Sequence, residues 1–257
     1  MHKPKKKWRT NAIFLVVLWI VLLLSSVTVL SSVVTPFLRS LQTQTLISLD
    51  WAGYAVSTNN LFPQPQVVGV NASWIVPAVT TSGFDAFSAA WIGVGGQTDS
   101  TLIQIGSEHD SISGQPVYAL WYELLPANSI PIENITVSPG DQINAAVTLI
   151  ESSTNTWRME ISDVTTGQSF TKNTVYNSSR LTAEWIMERP TVNNQMSTLA
   201  NFGSITFTNL SAKISNKVGT ANDFSNYEIL MEDRQNNQLV KVSNLNKEGT
   251  SFTVNYS

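Results

Sequence analysis

Ser204-Ile205-Thr206-Phe207-Thr208 alternates apolar and hydroxylated side chains at every step. Successive side chains of an extended chain point to opposite faces, so Ile205 and Phe207 fall on one side and the hydroxyls on the other, as a half-buried strand requires. Short β-rich runs recur around this pentapeptide, separated by turn chemistry, and no stretch shows a convincing 3.6-residue apolar period. Strands are predicted near 51–58, 67–76, 86–94, 101–107, 115–124, 132–137, 141–151, 156–163, 168–176, 180–188, 203–214, 225–231, 238–243 and 251–256. Ser138-Pro139-Gly140-Asp141 sets Pro and Gly at the central positions of a type II turn, and Thr166-Gly167 and Glu248-Gly249 mark further reversals. With no internal repeat and no second composition regime, these strands predict one all-β domain: an antiparallel β-sandwich of two large sheets of about seven strands each.

The 257 residues, 42% of them apolar, suffice for a sizeable core. Zero cysteines exclude disulfides, thiolate metal sites and a thiol nucleophile, so packing and hydrogen bonds must supply the stability. Charged residues make up 13%, about half the usual share. The net charge of −3 hides an asymmetry: Lys3, Lys5, Lys6, Lys7 and Arg9 open the chain, whereas residues 40–257 hold nine basic and eighteen acidic residues, a net of −9. Such a domain is not a nucleic-acid reader, and its partners are expected to be uncharged or cationic. Few bases also limit self-repulsion when carboxylates protonate, a hint of acid tolerance.

Residues 1–11 read as a basic cytoplasmic tail. Residues 12–38 are uncharged as far as Leu38, and Ala12–Thr35 alone would form a hydrophobic helix about 36 Å long, enough to cross a bilayer as a signal peptide or a transmembrane anchor. The flanking positive charge predicts export of the chain beyond residue 38: a linker over 39–50, then the β domain over 51–257, on the exocytoplasmic or extracellular side. Asn-x-Ser/Thr triplets at Asn71, Asn134, Asn177 and Asn209 agree with export.

The usual catalytic motifs are missing. His109 is the only histidine beyond the tail and no Gly-x-Ser-x-Gly elbow accompanies it, which argues against a Ser-His-Asp triad. Glu108-His109-Asp110 lacks a HExxH context and reads as an exposed loop, so no metal is assigned. Gly93-Val94-Gly95-Gly96 lacks the third glycine, following helix and lysine of a phosphate cradle and reads as a tight inter-strand turn. No cofactor is expected.

Carboxylates, amides and aromatics remain, and in their order along the chain the sequence resembles the glutamic peptidases, or eqolisins, of the scytalidoglutamic and aspergilloglutamic type. Trp51-Ala52-Gly53 is similar to the family's opening segment and Trp74-Ile75-Val76-Pro77 to its Phe-x-Val-Pro strand end. Ala90-Trp91-Ile92-Gly93 with Leu102-Ile103-Gln104-Ile105-Gly106 resembles the block bearing the catalytic glutamine. Trp121-Tyr122-Glu123 is similar to the Trp-Tyr-Glu segment, Thr182-Ala183-Glu184-Trp185 to the stretch bearing the catalytic glutamate, and Phe202-Gly203-Ser204-Ile205-Thr206-Phe207 to the strand after it. The resemblance covers roughly 50–257. Departures are the missing disulfides, Gly95 where the family carries an acid, and Leu124-Leu125 where it carries aromatics.

The resemblance implies a concanavalin-like sandwich and an acid endopeptidase, insensitive to pepstatin, acting as a monomer on polypeptides. Glu184 would be the general base and acid toward water and leaving amine, and Gln104 the amide donor to the oxyanion. Trp51, Trp91, Trp121 and Glu123 would bind substrate. Strand alternation agrees with a shared surface: Leu102, Gln104 and Gly106 lie on one face of their run, and Thr182, Glu184, Ile186 and Glu188 on one face of theirs. Two other readings stay open, a non-catalytic lectin-like or adhesive surface module and a glycosidase pairing Glu123 with Glu184.

Overall fold

The computed structural model describes residues 43–58 and 64–257; the basic tail and the hydrophobic 12–38 segment lie outside them. The strands are Gln44–Ser48 (β1), Trp51–Ser57 (β2), Val67–Ile75 (β3), Ala89–Gly95 (β4), Leu102–Ile112 (β5) and Gln115–Leu124 (β6). They continue with Ile130–Pro131 (β7), Gln142–Glu151 (β8), Thr156–Asp163 (β9), Gln168–Val175 (β10), Thr182–Glu188 (β11) and Thr191–Val192 (β12). Last come Gln195–Met196 (β13), Ser204–Ile214 (β14), Lys217–Gly219 (β15), Ser225–Met231 (β16), Val240–Val242 (β17) and Phe252–Tyr256 (β18). Two eight-stranded sheets result. One runs β1-β16-β2-β11-β4-β5-β6-β7, the other β10-β9-β8-β3-β14-β18-β17 with β15 beside β14. Among the described residues no helix is long and apolar enough to cross a membrane.

The expected sandwich is therefore present, and β6 and β9 fall on the expected bounds. The turns obey their chemistry: Gly140 takes φ +94° and the Asp141 amide donates to the Ser138 carbonyl at 3.0 Å, closing the Ser138–Asp141 turn. Two details differ. Residues 44–48 of the expected linker form β1, which pairs with β16 in parallel, so the sheet is not purely antiparallel. Residues 132–137 form no strand; Ile132, Ile135 and Val137 are buried in the core from irregular backbone. Burial without a neighbouring ladder made that run look like a strand.

Alternation decides what fills the space between the sheets. Ile205 and Phe207 point into it, as their spacing predicts, while the Thr206 and Thr253 hydroxyls meet outside at 2.9 Å. Phe207 stacks on Phe252 at 5.1 Å and tilts against Trp74. Each buried tryptophan of the layer finds an acceptor for its indole N–H: Trp74 on Ser107 Oγ, Trp157 on the Tyr176 carbonyl, Trp185 on the Asn71 carbonyl. Side chains of this size are worth about 3–5 kcal/mol each against truncation.

His109 is not on an exposed loop. It belongs to β5, and the alternation that sends Glu108 and Asp110 outward turns its ring into this core, with no exposed surface. Its Nε2 lies 2.8 Å from Ser107 Oγ, and Nδ1 has no partner. Burial holds its pKa down to about 3 from the ordinary 6.5. A base with a depressed folded pKa gives stability that is whole above about 6.5 and is lost as pH falls toward about 3. Replacing it with a residue that does not titrate, His109→Gln, is expected to flatten this acid limb; thermal unfolding followed from neutral pH down to about pH 3 checks it, and an unchanged acid slope refutes it.

Candidate active site

Four adjacent strands of the first sheet carry one row of residues in register. Glu184 on β11 faces Gly93 on β4, Gly93 faces Gln104 on β5, and Gln104 faces Glu123 on β6. Residues of one row share a face. Here it is the face turned away from the second sheet, since the alternate positions Ile103, Ile105, Ala183, Trp185 and Met187 all lie in the inter-sheet core. Two strand spacings, about 9.6 Å, separate the backbones of Glu184 and Gln104. The next row holds Ile186, Trp91, Gly106 and Trp121, whose side chains form a small apolar cluster with Leu102 and Trp51.

Gln104 is 3% exposed. Its Nε2 donates to Glu123 Oε2 at 2.5 Å, and its Oε1 has no partner. Glu184 has no exposed surface and neither carboxyl oxygen reaches hydrogen-bond geometry; the neighbouring Thr182 hydroxyl is likewise unpaired. Burial is the main cause holding the Glu184 carboxyl protonated well above the ordinary carboxylate range, opposed by the nearby Thr182 hydroxyl and Gln97 backbone amide and reinforced by Asp99. A set of buried, unpaired polar atoms on one sheet face is uncommon in structural strands.

Glu184 is sealed from above. A β-carbon at Gly93 would stand 2.8 Å from Leu102 Cδ1 and 3.0 Å from Trp91, so those side chains fill the space between Glu184 and Gln104 and would have to give way to any larger residue there. The run Gly93-Val94-Gly95-Gly96 is not the tight turn expected: its first three residues belong to β4 and pair with β5, and the chain leaves the strand only at Gly96, with Gly95 and Gly96 at φ +92° and +96°. A β-carbon at Gly96 would lie 3.2 Å from both Leu102 and Trp51, so the turn packs on the same lid-like cluster.

Beside this seal lies an open cleft of about 560 Å³. Gln104, Trp51, Trp121 and Glu123 line it; Glu184 and Trp91 do not. Trp91 is fully buried, meets Trp51 edge-on at 5.0 Å, and donates its Nε1–H to Glu188 Oε2 at 2.5 Å. Burial pushes Glu188 up to about 8. Sequence reasoning did not place Asp50, Glu108 and Asp110 on this cleft. The signal was available for two of them, because Gln104, Glu108 and Asp110 share the parity of β5.

Residues 49–256 match the Peptidase A4 family. The chain is 30% identical to aspergillopepsin-2 of Aspergillus niger over 174 residues, 66% of this chain and 59% of that protein. It is 34% identical to scytalidopepsin B of Scytalidium lignicola over 124 residues, 46% of this chain and 45% of that protein. The chain thus spans well under two thirds of each relative. Aspergilloglutamic peptidase from Aspergillus niger superposes with a TM-score of 0.60 at 29% identity, over 67% of this chain and 99% of that one. Scytalido-glutamic peptidase with a transition state analog inhibitor superposes at 0.68 over 82% and 99%, at 24% identity, a likeness of fold.

Proposed function

The chain belongs to the Peptidase A4 family, the eqolisins, and on that premise we propose that it is an exported acid endopeptidase whose Glu184 and Gln104 hydrolyse peptide bonds through an activated water, with neither a metal nor a covalent intermediate. The observation that carries the reading is the row Glu184–Gly93–Gln104–Glu123, which sets an ionisable and a neutral side chain on one face of adjacent strands, both with unpaired atoms. Ionised, Glu184 takes a proton from water as it attacks the carbonyl and returns it to the departing amine. Gln104 spends one amide hydrogen on Glu123 and keeps the other for the oxygen that becomes negative. Binding of a polypeptide would displace Leu102 and the Gly95–Gly96 turn, and the water admitted would let the carboxyl release its proton.

Segment 12–38 would put the domain outside the cytoplasm as a cleaved signal or as an anchor, and the substrates would be unfolded polypeptides met by a monomer. The glycosidase alternative fits poorly: three strand spacings, about 14 Å, separate Glu123 from Glu184, with Gln104 between them. The test is incubation of acid-denatured protein with the full chain in the presence of pepstatin. Cleavage is expected across the acid range, and none at any pH would end the proposal.

Glu123 acts in this scheme as a positioning residue for Gln104. Glu123→Ala is expected to lower kcat about tenfold with little change in KM, the effect of one lost charge-assisted hydrogen bond. Glu123→Gln keeps an acceptor for the same N–H and is expected to recover most of the rate; steady-state kinetics of both variants decide, and equal losses would make the role merely structural.

A further inference from the structure

The second sheet has a groove of its own, of about 470 Å³, on the side of the sandwich opposite the proposed catalytic row. The parity that turns Ala72, Trp74, Ala145, Val147 and Ile161 into the core sends the residues between them outward. One row crosses the groove from β3 to β10: Asn71 faces Ala146, Ala146 faces Glu160, and Glu160 faces Thr171. Beside it runs a second, Ser73, Asn144, Ser162 and Ser169. Ala146 is small enough to leave the space between Asn71 and Glu160 open. Of the described residues that line the groove only Glu160 is charged. An anion meets no cation there and an apolar ligand little to bury against, whereas a saccharide, itself a chain of neutral hydroxyls, meets donors and acceptors on every strand.

One end of this groove is an acceptor sequence for such a saccharide. Asn71-Ala72-Ser73 is an Asn-x-Ser triplet, and of the four triplets in the chain it is the one whose asparagine lines the groove. Asn71 is exposed. Its Nδ2 spends one hydrogen on the Asn209 carbonyl at 3.0 Å, and the second is left for replacement. Asn209, in the neighbouring triplet, sits on the bulge of β14 at φ +54° and turns its Nδ2 to Ser73 Oγ at 3.2 Å, onto a side chain only 6% exposed. Asn134 and Asn177 stand outside the strands, away from the groove lining.

We propose that Asn71 is N-glycosylated and that the first sugars of its glycan lie across β8 and β9 in this groove. The inference goes beyond the peptidase reading and rests on the export proposed with it. In the modification Nδ2 bonds to the anomeric carbon of a saccharide carried as a lipid diphosphate. The carbon–oxygen bond to the diphosphate breaks, the diphosphate leaves with the electron pair, and Nδ2 gives up one proton. The secondary amide keeps its other hydrogen, so the contact with the Asn209 carbonyl survives. Thr171 closes the row three strand spacings from Asn71, about 14 Å, which gives a short saccharide its length.

The test takes the full chain from the medium or the surface of the cells that make it and maps its peptides by mass spectrometry, before and after enzymatic release of N-linked glycans. The peptide holding Asn71 is expected to carry a saccharide and to hold aspartate at 71 after release. Ser73→Ala, which removes the hydroxyl of the triplet, is expected to abolish the adduct, and Ser73→Thr, which restores one, to retain it. An exported chain with Asn71 unmodified overturns the glycan and leaves export standing; a chain confined to the cytoplasm ends both. An adduct that survives Ser73→Ala overturns the assignment as well. Cleavage of peptides plays no part in these readouts, so they stand apart from the peptidase reading. The placement is read by carbodiimide labelling of Glu160, expected to be several-fold slower in the glycosylated chain than after release, with exposed Glu133 as the internal standard. Equal labelling overturns the placement, and protection of Glu160 only by added saccharide would make the groove a site for external sugar and overturn it too.

Discussion

Glu184→Gln is expected to lower kcat by about 10²–10⁴-fold, the usual worth of a positioned general base and acid, while the variant folds as well as the parent or better. The amide has nearly the same shape and fills the same sealed site, so packing is kept. What disappears is the proton. The stability consequence comes from the raised carboxyl: a group whose folded pKa lies above its unfolded value gives stability that is complete below the ordinary carboxylate range and is lost as pH rises through the folded value. Glutamine does not titrate, so the variant escapes that loss. Peptide hydrolysis in acid and thermal unfolding at acid and mildly alkaline pH read the two halves separately. A fully active variant would remove Glu184 from the chemistry.

The second large effect is a loss of stability on the alkaline side. Glu188 stands at about 8 against an ordinary 4.5, and Asp110 at about 7 against 3.8, each mainly because burial disfavours the charge. By the same sign, stability falls as pH rises from about 4 to about 8. The loss from these two groups amounts to several kcal/mol, a large share of what holds a typical domain, and a drop in Tm on the order of 10 °C, and Glu184 acts in the same direction. His109 works in the opposite direction below about 6.5, so a maximum at mildly acidic pH is expected. Glu188→Gln, whose amide oxygen can still accept the Trp91 indole N–H, is expected to lessen the alkaline drop. Unfolding profiles from about pH 4 to about pH 9 check this, and a flat profile in the parent contradicts it.

The sandwich was legible because burial of one strand face forces a period of two, which Ile205, Phe207 and their hydroxylated neighbours display without help from distant residues. What depends on distant partners was not. β1 earns its place by pairing with β16, nearly two hundred residues away, and its five residues carry no turn signal of their own. His109 was misread because its charged neighbours suggested a loop, although charge on alternate positions is also what a strand with a wet face shows. The proposed pair Gln104 and Glu184 was reached through resemblance; nothing local reveals that Gly93 stands between them, since that alignment is set by two strand pairings. The seal formed by Leu102 and Trp91 was equally hidden, being a matter of side-chain volume over a glycine.

The parallel strand β1 has a practical consequence. The family match starts at residue 49, one position beyond Ser48. A polypeptide trimmed to that boundary would look complete by homology, yet it would bare the hydrogen-bonding flank of β16 and uncover Ile229, which Leu46 now faces across the pairing. The shortened chain would present the seven residues of β16 as its border in place of the five of β1, and a longer unsheathed border invites sheet-to-sheet fusion between molecules.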